Sequence, residues 1–240
     1  MKAPDMIEAD ASLDQPLDRK TVLNDSLRRR IVTMELAPGA VVDEVALAEE
    51  FGLSRPPVRE LMRQLAAEGY LELEPNRPAR VSSMSYQSLR NFFLAAPLLY
   101  VATTQLAATN ATPAEIDGLK EIQRRFRMAI DAGDVSGRVH YNDRFHFQIG
   151  QMAHNDYLMP SLRRLLIDHS RLGMTFYQHP PTQEMQDSLQ SAVEQHDQII
   201  EAIASRSPDR AGILVRAHWD LSRRRMSDYA TPEGLDIQLT

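Results

Sequence analysis

The sequence predicts a mainly α-helical protein: an N-terminal winged helix-turn-helix followed by an all-α bundle of about six helices. Three observations predict it. Residues 45–81 read VALAEEFGLSRPPVRELMRQLAAEGYLELEPNRPARV, which is a short helix, a glycine stop, a second helix and two extended runs around a turn. Strand-like alternation ends near Met84, and helical periodicity runs from there almost to the C-terminus. The length of 240 residues, 43% of them apolar, suits about two packed domains.

Residues 1–17 carry Asp5, Glu8, Asp10 and Asp14 with little apolar periodicity and are expected to form a disordered acidic arm. Residues 18–83 hold the winged motif. Its first helix carries Arg28, Arg29 and Arg30. A second runs to Phe51 and stops at Gly52, and a third opens at Ser54 and closes at Gly69. Ser54 suits an N-cap, because its hydroxyl can accept from the free N–H groups of the first turn. Pro56 and Pro57 sit in that turn, where a missing N–H is tolerated. Val58, Leu61, Met62 and Leu65 form the apolar stripe of the third helix. Arg55, Arg59 and Arg63 form a second stripe about 110° away. An arginine face with the helix N-terminus leading is what phosphate and guanine-edge contacts in a major groove need. Glu60 and Glu68 share the helix, so a solvated charged face is the alternative; the turn before and the wing after favour DNA. In the wing, Leu71 and Leu73 alternate with Glu72 and Glu74 as in a half-buried strand. Arg77 and Arg80 bracket the tip, where a minor-groove or phosphate contact would fall.

The formal net charge is −6, and residues 19–83 hold ten Lys and Arg against ten Asp and Glu. DNA affinity then rests on local clustering, in which Arg28, Arg29 and Arg30, the recognition stripe and the wing make one basic face. A neutral domain with a local patch favours a dimer, since two half-sites add their contacts. There are no cysteines, which excludes disulfides and thiolate metal sites. No run of eighteen apolar residues and no signal pattern occur, so a soluble cytoplasmic protein with no membrane association is expected.

Helices are predicted near 85–109, 113–131, 135–153, 156–178, 183–205 and 208–229, with 231–240 as a tail. Thr112-Pro113-Ala114-Glu115 is a capping box, and Pro97 is expected to bend the first of these helices. Three histidines sit at the centre of apolar stripes on three different helices. His146 lies with Val139, Asn142, Ile149 and Ala153. His196 lies with Met185, Leu189, Ala192, Ile199 and Ile203. His218 lies with Ala211, Leu214, Val215, Leu221 and Arg225. Inward imidazoles need partners for both ring nitrogens. A divalent metal would satisfy all three; separately hydrogen-bonded core histidines are the alternative. His140, His154, His169 and His179 do not show this placement and read as ordinary structural residues.

The N-terminal stretch resembles the DNA-binding domain of the GntR family of bacterial transcription regulators. The matching pieces are Leu36-Ala37-Pro38-Gly39, Leu47-Ala48-Glu49, Ser54-Arg55-x-Pro57-Val58-Arg59-Glu60, Leu65-x-x-Glu68-Gly69-Tyr70 and Pro75-Asn76-Arg77. The resemblance implies that Arg55 and Arg59 contact DNA and that the wing tip approaches the minor groove. It gives Ser54, Arg55, Pro57, Arg59, Arg63, Asn76, Arg77 and Arg80 as the candidate DNA-binding set. Pro78 departs from the family's usual glycine at the tip.

The bundle, 84–230, resembles the effector-binding FCD domain of the FadR branch, through Asn142-x-x-Phe145-His146, Asn155, Glu194-x-His196-x-x-Ile199-x-x-Ala202-Ile203 and Ala217-His218. The resemblance implies an effector-binding and dimerisation domain with a divalent metal, zinc or nickel, on Asn142, His146, His196 and His218. Asn142 stands where the family usually has Asp, and a neutral amide binds a divalent ion more weakly. Ala96 and Tyr100 stand where family members often carry Arg and Glu near the pocket. With the four candidate ligands they make the candidate effector pocket, suited to a less charged or more apolar acid than a plain dicarboxylate. The expected function is a homodimeric, effector-controlled transcription regulator on a double-stranded operator, a repressor rather than an activator. The competing class is a metal-dependent enzyme whose winged helix is only a contact module; no nucleophile motif such as G-x-S-x-G supports it.

Overall fold

A computed structural model describes residues 18–177 and 182–230, with side chains at all of these but 177 and 225–230. The expected acidic arm, the tail at 231–240, His179 and the Arg225 side chain lie outside the described residues.

Helix α1 (Arg19–Val32) opens on Asp18, whose carboxylate accepts the Lys20 N–H, and buries Leu23, Leu27 and Ile31. Helix α2 (Glu44–Phe51) is capped by Asp43 and ends at Gly52, φ 61°. Helix α3 (Arg55–Glu68) buries the expected Val58, Leu61, Met62 and Leu65 and ends at Gly69, φ 93°. Both glycines hold a left-handed conformation that other residues adopt only with strain. At Gly69 a Cβ would also fall 2.1 Å from Cδ of Arg164.

Ser54 is at the N-cap position, but its side chain makes no capping bond. The reason is local. An N-cap hydroxyl accepts from the second or third helical N–H, and those positions are Pro56 and Pro57, which have none.

The wing is an antiparallel pair, β1 (Leu71–Glu72) and β2 (Arg80–Val81), with Leu71 opposite Val81 and Glu72 opposite Arg80. It is shorter than the alternation suggested, and Leu73 is 44% exposed. Pro78 has no N–H with which to extend the ladder toward the tip. A segment that sequence reading did not assign to the wing completes it: Gly39 and Val42 donate to the carbonyls of Val81 and Ala79, both at 2.9 Å. Leu23, Leu27, Val58, Leu65 and Val81 belong to one core here.

Six helices follow: α4 (Tyr86–Asn110), α5 (Pro113–Asp131), α6 (Val135–Met152), α7 (Met159–Tyr177), α8 (Gln183–Ala204) and α9 (Pro208–Ala230). α4 runs through Pro97 as one helix. By length and composition α4 could cross a membrane, but half of its most apolar window is buried. Phe93, Ala96, Tyr100 and Ala107 are core residues of the bundle, so the apolarity serves packing. The capping box at Thr112 and Glu115 is present with both reciprocal bonds. α7 starts later than the pattern suggested, because Asn155 Oδ1 accepts the N–H groups of Tyr157 and Leu158 at 3.0 Å and holds a turn there. α7 packs on α6, α4 and α9 within the bundle and also on α1 and α3 of the winged part.

Candidate nucleic-acid interface and metal centre

On α3, Arg55 and Arg59 are exposed and share one carboxylate. Arg55 Nε donates to Glu44 Oε1 at 2.9 Å; Arg59 donates to both Glu44 oxygens at 2.9 Å through Nε and Nη2. This fork holds the Glu44 carboxyl below its usual range, chiefly through the Arg59 bond. It pre-orients two guanidinium groups at the leading end of the helix. Arg63 continues the exposed stripe, and Pro57 sits half-buried beside it. Glu60 and Glu68 do not neutralise the stripe; they pair with Lys20 and Arg28 of α1. In the wing, Asn76 takes a left-handed φ of 60° at the tip. Arg77 pairs with Glu74, and Arg80 donates to the Gly39 carbonyl at 2.8 Å.

The three arginines of α1 do not join that face as expected. Arg28 is held by Glu68 and lies over the Tyr70 ring, Arg29 pairs with Glu35, and Arg30 pairs with Glu50. Arg28 and Arg29 instead line a groove of about 1270 Å³ between α1 and α3 on one side and α6 and α7 on the other.

In the bundle, His146 on α6, His196 on α8 and His218 on α9 are all buried. Each offers a ring nitrogen within 4.8 Å of the others. The neighbouring Gln123 amide settles what His196 presents. Gln123 on α5 donates from Nε2 to Val193 O at 3.0 Å and to Asp197 Oδ1 at 3.2 Å. Turning the amide over would set its oxygen against two other oxygens. Its Oε1 therefore faces His196 Nδ1, at 2.9 Å, so Nδ1 carries the proton and Nε2 carries a lone pair. The Gln195 amide meets His218 Nδ1 at 3.0 Å. The two Nε2 atoms face each other at 3.2 Å, so the His196 lone pair meets His218 Nε2, which donates to it in one tautomer and adds a second lone pair in the other. His146 Nε2 is buried with no partner.

Burial pushes all three imidazoles down, His146 and His196 well below the ordinary range and His218 to about 4. Three neutral imidazoles whose ring nitrogens converge suit a cation. The 3.2 Å separation is close to the roughly 3.3 Å that two imidazoles keep on one tetrahedral zinc.

Asn142, half-buried, lies one helical turn before His146. Asp143 accepts from Ser170 Oγ at 2.9 Å, with its carboxyl raised to about 6 by burial. Ala96 and Tyr100 are both buried, and the Tyr100 ring lies 4.6 Å from that of His146. Phe145 stacks on His196 at 3.8 Å.

His169 needs correcting. It is buried, its Nδ1 is 2.5 Å from the Tyr100 hydroxyl, and its ring is 5.4 Å from His146. Leu162, Leu165 and Leu166, buried on the same helix, carry the spacing that places it inward. Trp219, against Tyr100 and His169, and Gln123 were also missed. Gln123 follows Ile116 and Leu119 on one buried face, the same signal that marked the three histidines. His154 is exposed beside Glu115, and His140 is exposed.

Comparison with known proteins gives the family and the fold. Residues 20–81 match the model for bacterial regulatory proteins of the gntR family, and residues 98–221 match the FCD domain. The chain is 26% identical over 212 residues to the HTH-type transcriptional repressor RspR of Escherichia coli K12, covering 88% of this chain and 90% of that protein. It is 24% identical to the Nta operon transcriptional regulator of Aminobacter aminovorans, covering 78% and 84%. The solved structure of E. coli McbR/YncC superposes with a TM-score of 0.76 at 18% identity, covering 90% of this chain and 100% of that one. These relatives are regulators of transcription, not enzymes.

Proposed function

This chain belongs to the GntR family of bacterial transcription regulators and carries an FCD domain, and we propose that it is a cytoplasmic, homodimeric repressor released from its operator by a small organic acid. Residues 18–83 read DNA, and residues 84–230 bind the effector and pair the subunits. Arg55 and Arg59 read bases and phosphates from the major groove. Ser54, Pro57 and Arg63 flank them, and Asn76, Arg77 and Arg80 approach the minor groove from the wing. His146, His196 and His218 hold a divalent metal, zinc or nickel, with the Asn142 amide as a weak fourth ligand. When bound, that ion supplies the positive charge that draws an acid into a neutral, buried site. Ala96 and Tyr100 form an apolar wall, which favours an aliphatic or aromatic acid over a small dicarboxylate. The effector releases DNA only by binding one arrangement of the two subunits more tightly than the other. The name of RspR as a repressor supports the sign.

The observation that carries the metal reading is the meeting of His196 Nε2 and His218 Nε2 at 3.2 Å beside an unpartnered His146 Nε2. The test is the metal content of untagged, undialysed protein by inductively coupled plasma mass spectrometry, with His196→Ala as control. About one ion per chain, lost in the variant, is expected. No ion even after adding zinc or nickel would turn the reading to a hydrogen-bonding pocket.

A further inference from the structure

One turn of α7 touches both the histidine centre and the winged motif. We infer that Arg171 is the positioning residue through which occupancy of the histidine centre sets the wing and the C-terminal end of the recognition helix. The inference rests on the metal reading above.

Three side chains on one face of α7, at 164, 168 and 171, form a continuous ionic ladder. Arg164 pairs with Asp168 at 2.9 Å, and Asp168 pairs with Arg171 at 3.0 Å. Arg171 is fully buried. It donates from Nη1 to Ser82 Oγ at 3.0 Å and from Nη2 to Ser82 O at 2.7 Å. Ser82 follows β2 directly, and its own N–H donates to Tyr70 O at 2.9 Å. At the other end of the ladder, Arg164 lies against Gly69, the residue that ends α3, too close for any side chain there. Both exits from the DNA-facing motif, the end of α3 and the end of the wing, therefore rest on this ladder.

The intervening residues of the same turn face the bundle. His169 meets Tyr100, whose ring lies against His146. Ser170 bonds Asp143, three residues before His146 on α6. His146 could not take up a ligand position without changing its ring contact with Tyr100, 4.6 Å away. The Tyr100–His169 pair and α7 must then readjust. A helix moves as a unit, and a buried guanidinium does not give up charged hydrogen bonds without leaving a desolvated charge. Movement of α7 is thus passed to Ser82 rather than absorbed. Arg171 Nε is itself buried without a partner, an unmet donor that a purely stabilising contact has no reason to keep.

The test uses the full chain with zinc alone as the probe. Calorimetry measures zinc affinity, and hydrogen exchange reads the amides of residues 65–71 and 79–84 with and without zinc. In the wild type, zinc is expected to change their protection by about threefold to thirtyfold. In Arg171→Met, zinc affinity stays within about threefold while that response disappears, and Arg171→Lys restores part of it. If zinc binds and the wild-type wing amides do not respond, or if Arg171→Met responds as fully as wild type, the inference is overturned. If zinc does not bind the wild type, calorimetry shows that the metal reading has failed and the inference with it. Should Arg171→Met fail to fold, Ser82→Ala removes the Oγ acceptor alone; a partial loss of response is expected, and an undiminished one overturns the inference.

Discussion

Replacing His146 with leucine is expected to stabilise the metal-free protein and to abolish its stabilisation by zinc. His146 is 3% exposed, and its Nε2 has no hydrogen-bond partner. A buried unsatisfied polar group costs about 1–3 kcal/mol, and leucine removes it at similar volume. Against that gain stands the loss of the ring contact with Tyr100 at 4.6 Å, worth about 0.5–1.5 kcal/mol. The net is a gain of about 1 kcal/mol, which for a chain of this size raises the midpoint by about 2–4 °C. Zinc at a hundredfold excess over its dissociation constant adds about 2.7 kcal/mol to a protein that binds it, about 5–10 °C. Thermal unfolding at pH 7.5, in chelator and in zinc, should therefore show the two proteins exchanging rank. A leucine variant that melts below wild type in chelator, or zinc raising both proteins equally, would refute the argument that these nitrogens are arranged for a cation.

Arg59→Ala should lower affinity for an operator fragment, recovered by selection from a random pool, about tenfold to a hundredfold. Its unfolding midpoint should not change, since Arg59 is half-exposed and bonds only Glu44; fluorescence anisotropy and thermal unfolding check the two halves. Ser54→Ala should cost under about 0.5 kcal/mol, against about 1 kcal/mol for an ordinary N-cap, because no capping bond exists to lose; a loss near the ordinary value in urea unfolding would show that the hydroxyl does cap. In chelator, stability should fall as pH drops from about 6.5 toward 4. His169 and His218 are lowered to about 3 and about 4 by burial, so the unfolded chain takes up their protons first. His218 alone is worth about 3 kcal/mol. Asp143, raised to about 6, acts oppositely, but five depressed histidines outweigh one carboxyl. A urea midpoint that stays flat between pH 7 and pH 5 would contradict this.

The helices were legible because apolar spacing and caps are local. Thr112 and Glu115 announce α5, and Gly52 and Gly69 end their helices where only a left-handed residue fits. The misreadings came from tertiary effects or from neighbours cancelling a rule. Ser54 has the right identity for a cap, but the two prolines after it remove the donors. Leu73 has the right alternation, but the ladder ends at Glu72 and Arg80, because Pro78, in register with Glu74, has no N–H to continue it. His169 was passed over because Arg163, Arg164, Asp168 and Arg171 interrupt the apolar stripe of α7. Two of these, Asp168 and Arg171, are themselves buried, and no periodicity argument anticipates a buried ion pair facing another domain. Glu44 was invisible as a partner of Arg55 and Arg59, because the two helices meet only in the folded motif.

Periodicity showed that three histidines point inward; only the fold shows what they point with. Gln123 cannot turn over without opposing Val193 O and Asp197, so His196 must present a lone pair to the interior. His218 Nδ1 meets the Gln195 amide at 3.0 Å, and its Nε2 lies 3.2 Å from that lone pair. Burial holds the rings neutral at physiological pH. A buried, neutral site offers a carboxylate no compensating charge, so a cation between an organic acid and the imidazoles favours its entry. The metal and the acid are therefore one hypothesis. A bundle that holds no metal favours an effector that donates hydrogen bonds to His196 Nε2, and an acid that binds without metal would have to take its hydrogen bonds from an imidazole N–H.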